Sequence, residues 1–75
     1  MPNLRTVSGV ETLKALERLG FRQVRQRGSH IVLRKDSVQG AVGCTVPLHK
    51  ELKIGTLRGI LRQAKVEPDE FLKVL

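Results

Sequence analysis

Apolar residues in this chain recur at two intervals, and the switch between them limits the fold more than any other feature. Val10, Leu13, Leu16 and Leu19 are spaced as one face of a helix, and so are Leu57, Ile60, Leu61 and Ala64. Between these stretches the interval drops to two, in Ile31 and Leu33 and again in Val42, Cys44 and Val46, which is the alternation of strands that bury one side. A helix, then strands, then a second helix is the expected order.

The punctuation agrees with this order. Ser8-Gly9-Val10-Glu11 is a capping box, in which the Ser8 hydroxyl accepts from the third helical N–H and Glu11 reaches back. With Gly20 placed for a left-handed cap, it predicts a helix over residues 9–19. Phe21 to Gln26, with Val24 as its apolar centre, reads as a first strand. The turn residues Arg27-Gly28-Ser29 then lead into Ile31-Val32-Leu33, completing a hairpin. A second turn over Lys35 to Gly40 precedes a third strand, Ala41 to Val46, ended by Pro47. A helix starts near Gly55-Thr56, and Pro68-Asp69-Glu70 suits the first turn of a short third helix docked by Phe71, Leu72 and Leu75.

These elements predict an α+β fold, with a three-stranded antiparallel sheet and helices on one face, in the order α-β-β-β-α plus a short C-terminal helix. Residues 1–75 are read as a single domain, with a small core, since a chain of this size buries only about 60% of its unfolded surface. The helices can cover one face of the sheet. The other face is left for function.

The charge says what kind of partner that face meets. Fourteen Lys and Arg against seven Asp and Glu give a net charge of +7 and a positive field around the molecule. No acid falls between Glu17 and Asp36, whereas Arg18, Arg22, Arg25, Arg27, Arg34 and Lys35 do. An anionic partner is implied: nucleic acid, an acidic membrane surface or an acidic protein. With no Trp or Tyr and only Phe21 and Phe71, the aromatic platforms of many single-strand RNA binders are missing, so RNA would be held mainly through its phosphates. Cys44 is the one cysteine. No internal disulfide can form, and a reducing cytoplasm is the expected compartment. No segment has the length and apolarity of a membrane span and no signal core is visible, so neither a membrane span nor export is expected, and no membrane is named as a partner.

Strand alternation directs Ile31 and Leu33 to the core and His30, Val32 and Arg34 to the open face. His30 follows a Gly-Ser turn whose backbone N–H groups can approach a phosphate, with Arg25, Arg27 and Arg34 close in sequence. Imidazole gives and takes protons near neutral pH. RNA cleavage needs that chemistry: a base for the attacking 2′-hydroxyl, an acid for the departing 5′ oxygen, and cations for the phosphorane. The bland reading makes His30 a surface residue of a basic sheet. His49, in a polar loop with Lys50 and Lys53, is a second candidate for catalysis or positioning, against the plainer reading of a solvated loop histidine. Cys44 reads as a core residue. Arg58, Arg62 and Lys65 form a stripe that is either a solvated helix face or a clamp for a phosphate backbone. His30, Cys44 and His49 lack metal-ligand spacing, so neither a metal nor another cofactor is expected.

Three segments carry a resemblance: Val7-Ser8-Gly9 at the first helix; Arg25-Gln26-Arg27-Gly28-Ser29-His30; and Val46-Pro47-Leu48-His49 with Glu51 to Leu57 and Ile60 to Ala64. In this order and spacing the chain resembles the HicA toxins of bacterial and archaeal toxin–antitoxin pairs over nearly its whole length. The resemblance implies a fold like the double-stranded-RNA-binding domain and a metal-independent mRNA endonuclease. It also implies a catalytic histidine at His30 presented by Gly28 and Ser29, and a HicB antitoxin that covers it. Arg25, Arg27, Arg34, Lys50 and Lys53 are then the expected RNA contacts. Ile54 stands where that family often has Pro, and Lys65-Val66 replaces a frequent Gly-hydrophobic pair. The rival readings are a non-catalytic double-stranded-RNA-binding domain and a module whose basic face meets only an acidic protein.

Overall fold

A computed structural model describes residues 4–75 of the chain. Its elements run α1 (Gly9–Arg18), β1 (Arg22–Arg27), β2 (His30–Ser37), β3 (Gly40–Pro47), α2 (Ile54–Ala64) and α3 (Pro68–Val74). The strands form one antiparallel sheet in the order β1-β2-β3, so the α+β architecture expected from the two apolar periods is the one observed. Ile31, Leu33, Cys44 and Val46 bury one face of the sheet against Leu13, Leu16, Leu57, Ile60, Leu61, Ala64 and Phe71. Among the described residues, no element covers the opposite face.

Local chemistry accounts for the helix ends. Ser8 caps α1: its hydroxyl accepts from Glu11 N–H at 3.0 Å and its own N–H donates to the Glu11 carboxylate at 2.9 Å. That backbone bond holds the Glu11 carboxyl below its ordinary range. Glu67 N–H donates to the Glu70 carboxylate in the same way at 3.1 Å, with Pro68 in the first turn of α3. At the other end of α2, Lys65 takes the left-handed conformation, φ 56°, and Val66 N–H donates to the Leu61 carbonyl at 2.9 Å. This is the position where the resemblance expects glycine. A Cβ in that conformation costs about 1 kcal/mol, so Lys65→Gly is expected to stabilise the fold by about that much, read as a rise of roughly 4–8 °C in Tm. An unchanged or lower Tm would show that the Lys65 side chain offsets the strain.

Several sequence expectations need correction. Val10 is half exposed and Thr12 and Ala15 are buried in its place. At 100° per residue, the stripe through Thr12, Ala15 and Leu16 leaves Val10 on nearly the opposite side. Thr12 can be buried because its hydroxyl donates to the Ser8 carbonyl at 2.9 Å. Arg27 belongs to β1, not to the turn, which is only Gly28-Ser29; likewise the second turn shrinks to Val38-Gln39. Tight two-residue connections match strand twist when glycine supplies a positive φ, as Gly28 does at 56° and Gly40 beside its turn at 118°. Val24 is no inward centre of β1, because the register slips between Gln23 and Arg25 and leaves it as a bulge residue, 46% exposed. Finally, α2 begins at Ile54, one residue before Gly55.

Candidate functional site

Residues paired across an antiparallel sheet share a face, so the register maps the open side residue by residue. Along β2 it carries His30, Val32, Arg34 and Asp36. Opposite these on β1 stand Arg27 against His30, Arg25 against Val32 and Arg22 against Arg34. On β3 the partners are Pro47, Thr45, Gly43 and Ala41. The open face is therefore a row of arginines along one edge, with His30 at the end where the Gly28-Ser29 turn closes the hairpin.

That turn is held from two sides. The Gln26 side-chain amide donates to the Gly28 carbonyl at 3.0 Å, and Leu48 N–H donates to the Ser29 carbonyl at 2.7 Å. Among the described residues, nothing lies within 4 Å of a would-be Cβ at Gly28. Its glycine serves the positive φ rather than a shortage of room, and the approach to the turn is open. His30 itself is exposed.

The strand end beyond Pro47 brings in the first helix. Gly9 N–H donates to the His49 carbonyl at 2.9 Å, Leu52 N–H donates to the Val7 carbonyl at 2.7 Å, and Val7 and Leu52 form a bridge. Gly9 lies so close to this segment that a Cβ there would overlap the Pro47 carbonyl oxygen and come within 2.8 Å of Leu48 Cα. Segments 7–9, 28–30 and 46–49, far apart in sequence, thus meet at one end of the sheet. His49, Lys50 and Lys53 are all exposed in the loop that continues from there.

The predicted cations are not all equivalent. Arg25 and Arg27 lie exposed on the face of His30. Arg34 lies on the same face farther from the turn, and its Nε donates to Asp36 Oδ1 at 3.0 Å while Arg22 donates to Oδ2 at 3.1 Å. These bonds, that from Arg34 foremost, hold the Asp36 carboxyl below its ordinary range. Sequence reasoning passed over Arg22 as a site residue; its place emerges only once the β1–β2 register is known. Arg58, Arg62 and Lys65 are exposed on α2, whose buried side packs on the core face, so the helix layer separates them from His30. Cys44 is buried, which pushes its thiol up to about 11 and removes it as a nucleophile at neutral pH. Among the described residues, no three His, Cys, Asp or Glu side chains gather where they would hold a metal ion, and no helix is long and apolar enough to cross a membrane.

A family model described as the HicA toxin of bacterial toxin-antitoxin pairs matches residues 9–66, from the first residue of α1 through the whole sheet to the end of α2. No curated protein matches the chain.

Proposed function

We propose, starting from the fact that the chain belongs to the HicA toxin family of bacterial toxin–antitoxin systems, that its toxicity is the cutting of messenger RNA with His30 as general acid or base. The observation that carries this reading is the pairing of exposed His30 with Arg27 directly across the strand, next to a turn with open space around Gly28. A phosphodiester at the turn has an imidazole and a guanidinium on the same side. The imidazole moves a proton and the cation offsets the extra negative charge of the phosphorane.

In the reaction, the 2′-hydroxyl loses its proton as its oxygen attacks the adjacent phosphorus, and the bond to the 5′ oxygen breaks as that oxygen gains a proton. The products are a 2′,3′-cyclic phosphate and a 5′-hydroxyl. His30 serves one of the two transfers. His49 is the candidate for the other, or for positioning, because the Leu48–Ser29 bond ties its loop to the turn. Gly28 and Ser29 present the histidine. Arg25, Arg27, Lys50 and Lys53 hold the RNA, and Arg34 contributes from its ion pair with Asp36. No step needs a metal ion.

The decisive experiment is purified chain on a long RNA, with and without a chelator. Cleavage that persists with chelator and leaves cyclic phosphate ends supports the reading; intact RNA overturns it in favour of a binding domain. RNA affinity is also expected to fall steeply with salt, each neutralised phosphate adding about −0.7 to the slope of log affinity against log salt for a single strand. Arg27→Ala should flatten that slope by about one such increment, and an unchanged slope would place the RNA elsewhere.

Membership in the family implies an antitoxin partner. In this reading the partner is a HicB-type protein that covers the arginine-lined face, with carboxylates toward Arg25 and Arg27 and apolar groups on half-buried Val32. Rim charges of that kind set association rate and register more than the lifetime of the complex.

A further inference from the structure

The open face carries a feature that phosphate contacts and proton transfer leave unused. Beyond His30 lies a depression of about 350 Å³ lined by Val24, Val32, Arg34, Ala41 and Gly43. Its shape comes from three local facts. The β1 bulge turns Val24 outward. Gly43, opposite Arg34, has no side chain to fill the floor. The Arg34 guanidinium at the rim is held by Asp36, whose other oxygen is taken by Arg22.

We propose that this depression seats one nucleobase of the RNA substrate, next to the nucleotide whose phosphate meets His30. The proposal rests on the RNA-cleavage reading. Val32 is two residues from His30 on the same face, roughly 7 Å along the strand, within reach of a neighbouring nucleotide in an extended single strand. A base is flat and apolar on its faces. Here it meets valine and alanine methyl groups, a bare glycine floor and the planar guanidinium of Arg34, which donates to Asp36, and single-strand binders stack bases on arginine planes as well as on aromatic rings. The chain has no Trp or Tyr, so this aliphatic and guanidinium surface takes the place of the missing aromatic platform. The arginines around it draw in the phosphates on either side. Stacking on this surface favours the larger purine faces modestly next to the cut and does not read the base edges.

The test compares the wild type with Ala41→Leu, an exposed position where added bulk fills the depression without entering the core. Fragment ends from a long mixed-sequence RNA are mapped for both, and KM and kcat are measured on a short RNA carrying a site preferred by the wild type. The same short RNA, made uncleavable by a 2′-deoxy sugar at the cut, is titrated while backbone amide NMR signals are followed. The wild type is expected to show a modest preference for purines at one fixed position beside the cut. Ala41→Leu should change that preference and raise KM about tenfold, the scale of one lost stacked base, with kcat falling less. The amides of Val24, Val32 and Gly43 should shift with the uncleavable RNA.

An unchanged map and KM, or shifts confined to the turn around His30, would overturn the subsite and leave RNA cleavage standing. Absence of both cleavage and binding by the wild type would overturn the two together. If Ala41→Leu weakens binding of an acidic antitoxin but leaves the cleavage map as it was, the depression belongs to the protein partner and the nucleobase assignment is wrong.

Discussion

His30→Ala is expected to lower the rate of RNA cleavage by about 10²- to 10⁴-fold, the range that a positioned proton-transfer group contributes, and to abolish growth arrest on expression. The fold should survive. His30 is exposed at the start of β2, its side chain makes no hydrogen bond among the described residues, and the turn beside it is held by Gln26 and Leu48 through backbone carbonyls. RNA affinity should also remain close to that of the wild type, because the cations that supply it are elsewhere on the face. Thermal melting, RNA binding and cleavage measured on the same preparation separate these effects. A variant that melts normally and still cuts at the full rate would make His30 a bystander.

Gly9→Ala is expected to have the largest effect of any exchange that adds a single methyl group. The new Cβ would overlap the Pro47 carbonyl oxygen and crowd Leu48 Cα. Both are backbone atoms, so no flexible side chain can swing aside. The start of α1 must lift from the end of β3, weakening the bond from Gly9 N–H to the His49 carbonyl and disturbing the one from Leu48 N–H to Ser29. Overpacking of this kind costs about 3 kcal/mol, which in a domain of this size lowers Tm by roughly 12–24 °C. Because the same contacts anchor the turn before His30, cleavage measured well below the variant's own Tm should fall as well. A variant with wild-type Tm would mean that helix and strand end are not in close contact. One with lowered Tm but full activity would show that the turn does not depend on that contact.

Much of this molecule is legible from its sequence because the responsible forces act over a few residues. The Ser8–Glu11 box, the helical spacing through Leu13 and Leu16, the alternation of Ile31 with Leu33 and of Cys44 with Val46, and the glycine at position 28 each report a local preference. Together they are enough for the element order and for the face of β2 on which His30 stands. Where the sequence misled, a local pattern lost to a longer-range constraint. Val10 matched the helical interval but not the stripe chosen by packing on the sheet. Val24 looked like the centre of a strand until the pairing with β2 made it a bulge.

Tertiary structure alone decided the rest. Gly9 reads in sequence as an ordinary helix start; only its contact with Pro47 and Leu48 shows why a side chain is excluded. Arg34 and Arg22 read as two free cations until strand pairing sets them side by side and lets both reach Asp36. The depression over Gly43 depends on a bulge in β1 and an absent side chain in β3, which no window along the chain contains. The physical reason is the same in each case. Hydrophobic period and capping are settled between residues up to four apart, whereas register, close backbone approach and the shape of the open face are settled between residues that meet only after the chain has folded.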